Sequence, residues 1–114
     1  MYMKEIVRAI FLFEELIKAA QAAGLYEFIV TFNGKEARVI VRRDEAGTIK
    51  VESTEYRSIT FTRDGLQDAM VNFDLLWKTA EYASKFLQDK EKIYEEARKI
   101  LSPFALDHKL NGGN

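Results

Sequence analysis

The sequence predicts an α+β domain, a two-layer fold with a four-stranded antiparallel meander and helices on one of its faces. Three observations predict it. Apolar residues recur at helical spacing from residue 3 to residue 23. Two alternating runs, from Leu25 to Arg43, are joined by Asn33-Gly34. Helical periodicity then returns after Asp64. The predicted order is α-β-β-β-β-α, the last helical region being one helix or two. Residues 1–104 make one domain and residues 105–114 a frayed tail.

The first helix carries Ile6, Ala9/Ile10, Phe13, Leu16/Ile17 and Ala20 as its stripe. Glu14 and Lys18 form an i,i+4 pair in the favourable orientation. Gly24 suits the left-handed residue that ends a helix. Val7, Phe11 and Leu12 widen the apolar arc beyond what one sheet contact uses.

Asn-Gly between alternating runs is the strongest short hairpin signal, because a type I′ turn needs positive φ at both central residues. It pairs Phe32 with Lys35, Val30 with Ala37, Phe28 with Val39 and Tyr26 with Val41. These residues share the core face. The other face carries Glu27, Thr31, Glu36, Arg38 and Arg42, with Leu25, Ile29 and Ile40 among them. Asp44 to Thr48 reads as a turn closed by a left-handed Gly47. Ile49 and Val51 then point inward, with Arg38 near Glu52 and Ile40 near Lys50. After a short connection at Ser53–Tyr56, a fourth strand runs from Arg57 to Thr62. Ile59 and Phe61 point inward on it, and Arg57 shares their parity.

Asp64 and Gln67 have capping-box spacing. The stripe that follows is Leu66, Ala69/Met70, Phe73, Leu76/Trp77, Ala80, Ala83 and Leu87. Gln88 to Lys92 is polar throughout, and Asp89 is placed to cap a third helix there. Ser102-Pro103 is expected to stop that helix.

Composition narrows the function. Lys+Arg is 17 and Asp+Glu is 18, for a formal net charge of -1. Residues 1–24 carry three basic and three acidic side chains, residues 25–63 seven and six, and residues 64–114 seven and nine. No segment is basic enough for a nucleic-acid or anionic-membrane footprint. The chain has no cysteine, so thiolate metal sites, disulfides and cysteine nucleophiles are excluded, and the cytoplasm is the expected setting. The N-terminal apolar run is broken by Glu14, Glu15 and Lys18 and falls short of the roughly 20 residues a span needs.

Catalytic signals are weak. The one histidine, His108, lies in the tail. Ser53, Ser58, Ser84 and Ser102 sit in no nucleophile-elbow pattern. Asp64/Asp68 and Glu91/Glu95 read as solvated helix faces rather than cation sites. Arg57 reads as a residue paired at the sheet edge, and Phe73/Trp77 as core. No catalytic residue, cofactor or metal is assigned.

The order helix–strands–helix resembles that of double-stranded-RNA-binding domains and of the Alu-binding proteins of the signal recognition particle. That resemblance would imply a surface of phosphate-binding lysines and arginines. Here Arg38, Arg42 and Lys50 share their face with Glu27, Glu36 and Glu52, so nucleic acid is disfavoured. The leading expectation is a non-catalytic protein-interaction domain, a small adaptor or inhibitor of bacterial or phage type. Its expected surface is Ile29, Arg38, Ile40 and Arg42 on the outer sheet face. Val7, Phe11, Tyr82, Phe86 and Ile93 on the helix flanks complete it. The partner is another protein or a second copy; a symmetric dimer is expected if the C-terminal helix runs straight through Gln88–Lys92. A designed scaffold is the alternative, since one proline, no cysteine and well-oriented charge pairs follow design rules.

Overall fold

A computed structural model describes residues 2–32, 34–61 and 72–111. Helix α1 spans Tyr2–Ala22 and is followed by strands β1 (Glu27–Phe32), β2 (Lys35–Arg43), β3 (Ile49–Ser53) and β4 (Ile59–Thr60). Helix α2 (Phe73–Phe86) and helix α3 (Glu91–Asn111) complete the chain, joined through a single 3-10 turn at Gln88–Lys90. The strands form one antiparallel sheet in the order β1-β2-β3-β4. The α+β class and the element order are those predicted.

The stripe of α1 is buried as its spacing requires: Ala9, Ile10, Phe13, Leu16, Ile17 and Ala20 are all in the core. Glu14 is nearly buried beside them, and Lys18 Nζ lies 3.6 Å from its carboxylate. The helix ends in a Schellman motif. Gly24 N–H donates to Gln21 C=O at 3.1 Å, and Leu25 N–H donates to Ala20 C=O at 2.9 Å. Gly24 has φ 115°, which only a residue without Cβ adopts at no cost.

That cap corrects the sequence expectation at the start of the hairpin. Leu25 belongs to the helix end and is buried, whereas Tyr26, expected inward, is 56% exposed. The strand alternation starts only at Glu27. From there the β1–β2 register is the predicted one, Phe28 facing Val39 and Val30 facing Ala37. Gly34 has φ 78°, as a primed turn requires; Asn33 lies outside the described residues.

The second hairpin closes through Asp44 N–H to Thr48 C=O at 3.0 Å, and Thr48 N–H to Asp44 Oδ1 at 2.8 Å, around a left-handed Gly47. This loop sets Arg43 opposite Ile49, so Ile40 faces Glu52 and Arg42 faces Lys50. The pairing of Arg38 with Glu52 and Ile40 with Lys50 is therefore wrong by two residues. Parity survives a shift of two, so Ile49 and Val51 are still fully buried. Strand β4 is shorter than predicted. Ile59 and Phe61 are buried, but Arg57 precedes the strand and is exposed. Thr62 and the Asp64–Gln67 cap lie outside the described residues.

Helix α2 starts at Phe73, with Asn72 C=O accepting from Leu76 N–H at 3.1 Å. It buries Phe73, Leu75, Leu76, Thr79, Ala80, Ala83 and Ser84. The polar run at 88–92 does break the helical region, through the 3-10 turn rather than through a cap at Asp89. Helix α3 then packs against α1, burying Tyr94, Ala97 and Leu101. It does not stop at Ser102-Pro103. An interior proline costs about 3 kcal/mol, yet Ala97 and Leu101 anchor the preceding turns in the core. Ser102 Oγ donates to Arg98 C=O at 2.7 Å, and Pro103 itself is exposed.

An aromatic group joins the three helices. Phe13 stacks on Tyr94 with centroids 5.8 Å apart and meets Trp77 edge-on at 5.6 Å. Burial pushes the Tyr94 hydroxyl up to about 12.

Candidate functional site

The outer face of the sheet is built by the residues that alternate with the core. Ile29 faces Arg38, Glu27 faces Ile40, and Ile40 in turn faces Glu52. Arg38 Nε donates to Glu27 Oε2 at 2.6 Å, and Arg42 Nε donates to Glu52. The Glu27 carboxyl is held below its usual range by its hydrogen bond to the Arg38 guanidinium. Two of the three cations proposed for this face thus already hold a carboxylate. Ile40, between Arg38 and Arg42 on β2, is half-buried, while Ile29, opposite Arg38 on β1, is 57% exposed.

The helix flanks divide. Phe11, Tyr82 and Phe86 are exposed, as their place outside the stripes predicts. Val7 is half-buried, and Ile93 packs against the core. The break after α2 and the packing of α3 on α1 supply cover within one chain. The straight helix from which a dimer was expected is not formed. Tyr82 is not simply spare surface either, because its ring stacks on Phe28 at 4.3 Å and 19°. It links α2 to the first residue of β1 that points inward.

Grooves open on the surface among the described residues. One, of about 570 Å³, lies between α1 and α3 and is lined by Arg8, Glu91, Lys92, Glu95, Glu96 and Lys99. Its charges cancel, and Arg8 is ion-paired with Glu96. Another, of about 150 Å³, lies between β1 and α2. Ile29, Val30 and Thr31 form one wall, with Lys78, Tyr82 and Lys85 on the other beside Glu81. Sequence reasoning named Ile29 and Tyr82 but missed the two lysines. Their i,i+7 spacing on α2 puts them on one helix face two turns apart, and that signal was available.

The Ser53 and Ser84 hydroxyls, like that of Ser102, serve the backbone. Ser53 Oγ accepts from Glu55 N–H at 3.1 Å and from Tyr56 N–H at 3.3 Å. Ser84 Oγ donates to Glu81 C=O at 2.7 Å. Among the described residues no group of three His, Asp or Glu could hold a metal ion. Of the carboxylate pairs, Glu91/Glu95 lines the α1–α3 groove, with Glu95 bonded to Arg98 at 2.8 Å. Asp64/Asp68 and the His108 side chain lie outside the described residues. No helix among the described residues is long and apolar enough to cross a membrane.

Compared with protein-family models, with curated proteins and with solved structures, the chain matches none.

Proposed function

We propose that this chain is a non-catalytic protein-interaction domain, a small adaptor or inhibitor working in the cytoplasm. One observation carries the reading. Among the described residues, Phe11, Tyr26, Ile29, Tyr82 and Phe86 are the large apolar side chains left exposed. Contiguous apolar surface is the mark of a partner site, and Ile29 and Tyr82 line one groove. The pairing of Arg38 and Arg42 with carboxylates favours a protein partner over nucleic acid, because few uncompensated cations remain for phosphates.

The test compares two baits, the domain itself and a variant carrying Phe11→Glu, Ile29→Glu and Phe86→Glu. Both are immobilised and exposed to bacterial extract. The reading requires proteins that the first bait retains and the second loses. Identical retention by the two, with both folded by circular dichroism, would refute it.

A further inference from the structure

The break between α2 and α3 turns on one residue. Leu87 N–H donates to Ala83 C=O at 2.9 Å, as in an uninterrupted α-helix. Leu87 itself leaves the helical region, at φ -113° and ψ 81°, and Glu91 is helical again at φ -57° and ψ -32°. Between them Lys90 N–H donates to Leu87 C=O at 2.9 Å, closing the 3-10 turn. Among the described residues no side chain caps this turn, and Gln88, Asp89 and Lys90 are not buried. No glycine or proline occurs between Phe73 and Ser102.

The apolar pattern runs through the break. Phe73, Ala80, Leu87, Tyr94 and Leu101 recur at intervals of seven, and Leu76, Ala83 and Ala97 fall three residues after members of that series. All eight are buried or packed against the core. Lys90 alone interrupts the second row. Two helices joined by a turn need no common phase, because the turn resets it. An unbroken double row with a period of seven is what one long helix packed along a neighbour needs.

We infer that the chain has a second conformation, in which Leu87 becomes helical, α2 and α3 fuse, and α3 docks on α1 of a second copy. Two molecules then exchange identical helices across a two-fold axis. Length forces the exchange. The fused helix, Phe73 to Asn111, runs about 58 Å, from a rise of about 1.5 Å per residue. The folded chain is 34 Å in its longest extent. The second half of the helix therefore leaves the copy that carries it, and the face of α1 under Tyr94, Ala97 and Leu101 is vacated. What fits that face is α3, supplied by the other molecule. The Phe13–Tyr94 stacking and the Arg8–Glu96 ion pair re-form between chains. Among the described residues α3 packs mainly on α1 and less on α2, so the exchange restores most of what it breaks. It is built from none of Phe11, Ile29 and Phe86, so its failure leaves the interaction-domain reading standing.

The chain has no cysteine, so a reporter pair can be placed cleanly. Arg8→Cys with Glu96→Cys is refolded at about 10 and about 500 micromolar, diluted to one concentration and joined by a short bis-maleimide. On denaturing gels the monomer gives a link within one chain, and the exchanged form gives a covalent dimer. The dimer share should rise at least about ten-fold over that range by mass action. Gln88→Pro should abolish it and leave the circular dichroism unchanged. Leu87 is already non-helical, as a residue before proline prefers, whereas proline at 88 breaks a continuous helix. Lys90→Leu completes the second row and should raise the dimer several-fold. Sedimentation equilibrium of the chain without cysteines should rank the variants in the same order. Links within one chain alone, at both concentrations, would overturn the exchange. So would links between chains that Gln88→Pro leaves undiminished, since those belong to a dimer joined elsewhere. If the cysteine pair impairs folding, the sedimentation series decides alone. A monomer throughout, or a dimer that Gln88→Pro does not dissociate, then overturns the proposal.

Discussion

The two faces of this sheet are made by the same strands, residue by alternate residue, and they do different work. On one face Val39, Val51 and Ile59 are completely buried, and Phe28 and Val41 nearly so. On the other, Ile29, Arg38 and Arg42 stand in solvent, with carboxylates paired to the arginines. Alternation alone does not separate stability from recognition, since both faces contain isoleucine. What separates them is what covers each face. The inner face belongs to the same apolar cluster as the three helices, whereas the outer face has ion pairs that remain hydrated.

Substitutions across the sheet should break this contrast most plainly. Phe28→Ala removes a buried ring and its stacking on Tyr82 and should cost about 3–5 kcal/mol in urea melts. Ile29→Ala, the adjacent residue on the other face, should cost less than about 1 kcal/mol. Equal losses would mean that the outer face is packed as well.

The buried side also has a pH signature. Folding holds the proton on Tyr94 up to about 12, against an ordinary value of 10.0. Above pH 10 the unfolded chain has released that proton and the folded chain has not. Stability should therefore be intact below pH 10 and decline between 10 and about 12. Tyr94→Phe should flatten that part of the curve; an unchanged slope in the variant would assign it to other groups. A smaller effect, of opposite sign, is expected at Thr79, whose buried Oγ1 has no hydrogen-bond partner among the described residues. Thr79→Val keeps the shape and removes the orphan, and should raise stability by about 1 kcal/mol. Loss of stability there would point to a hydroxyl that is satisfied after all. Smallest is the outer ion pair. A double-mutant cycle on Arg42 and Glu52 should give coupling of about 0.2–1 kcal/mol, shrinking with salt. Larger, salt-insensitive coupling would show that the outer face is less hydrated than its exposure implies.

Much of this fold was legible because local signals agreed. The α1 stripe, Gly24, the Asn-Gly turn and the Phe28/Val39 register follow from spacing and turn chemistry. The misreadings occurred where one residue answered to two rules. Leu25 fits the strand alternation, but an apolar residue after a C′ glycine commonly packs back on the helix it leaves. Tyr26 was displaced with it. For the second hairpin, the inward parity of Ile49 and Val51 is met equally by registers two residues apart, and the five-residue loop from Asp44 to Thr48 selects the one with Arg43 opposite Ile49. Pro103 is a stop signal locally, whereas the burial of Leu101 is a tertiary fact that no local pattern contains. The candidate surface was legible in its apolar members. Its lysine wall was not, because Lys78 and Lys85 meet β1 only once α2 has been placed beside the sheet.

The ion pair of Arg8 with Glu96 joins residues 88 positions apart, and its consequence falls on the order in which the chain can mature. On the ribosome α1 emerges first, and the β1–β2 hairpin can close soon afterwards through short-range contacts. The face of α1 that includes Phe13 has no aromatic partner until Trp77 and Tyr94 have been synthesised. Until then the stripe of α1 is only partly covered, and translation of α3 supplies the rest of its cover.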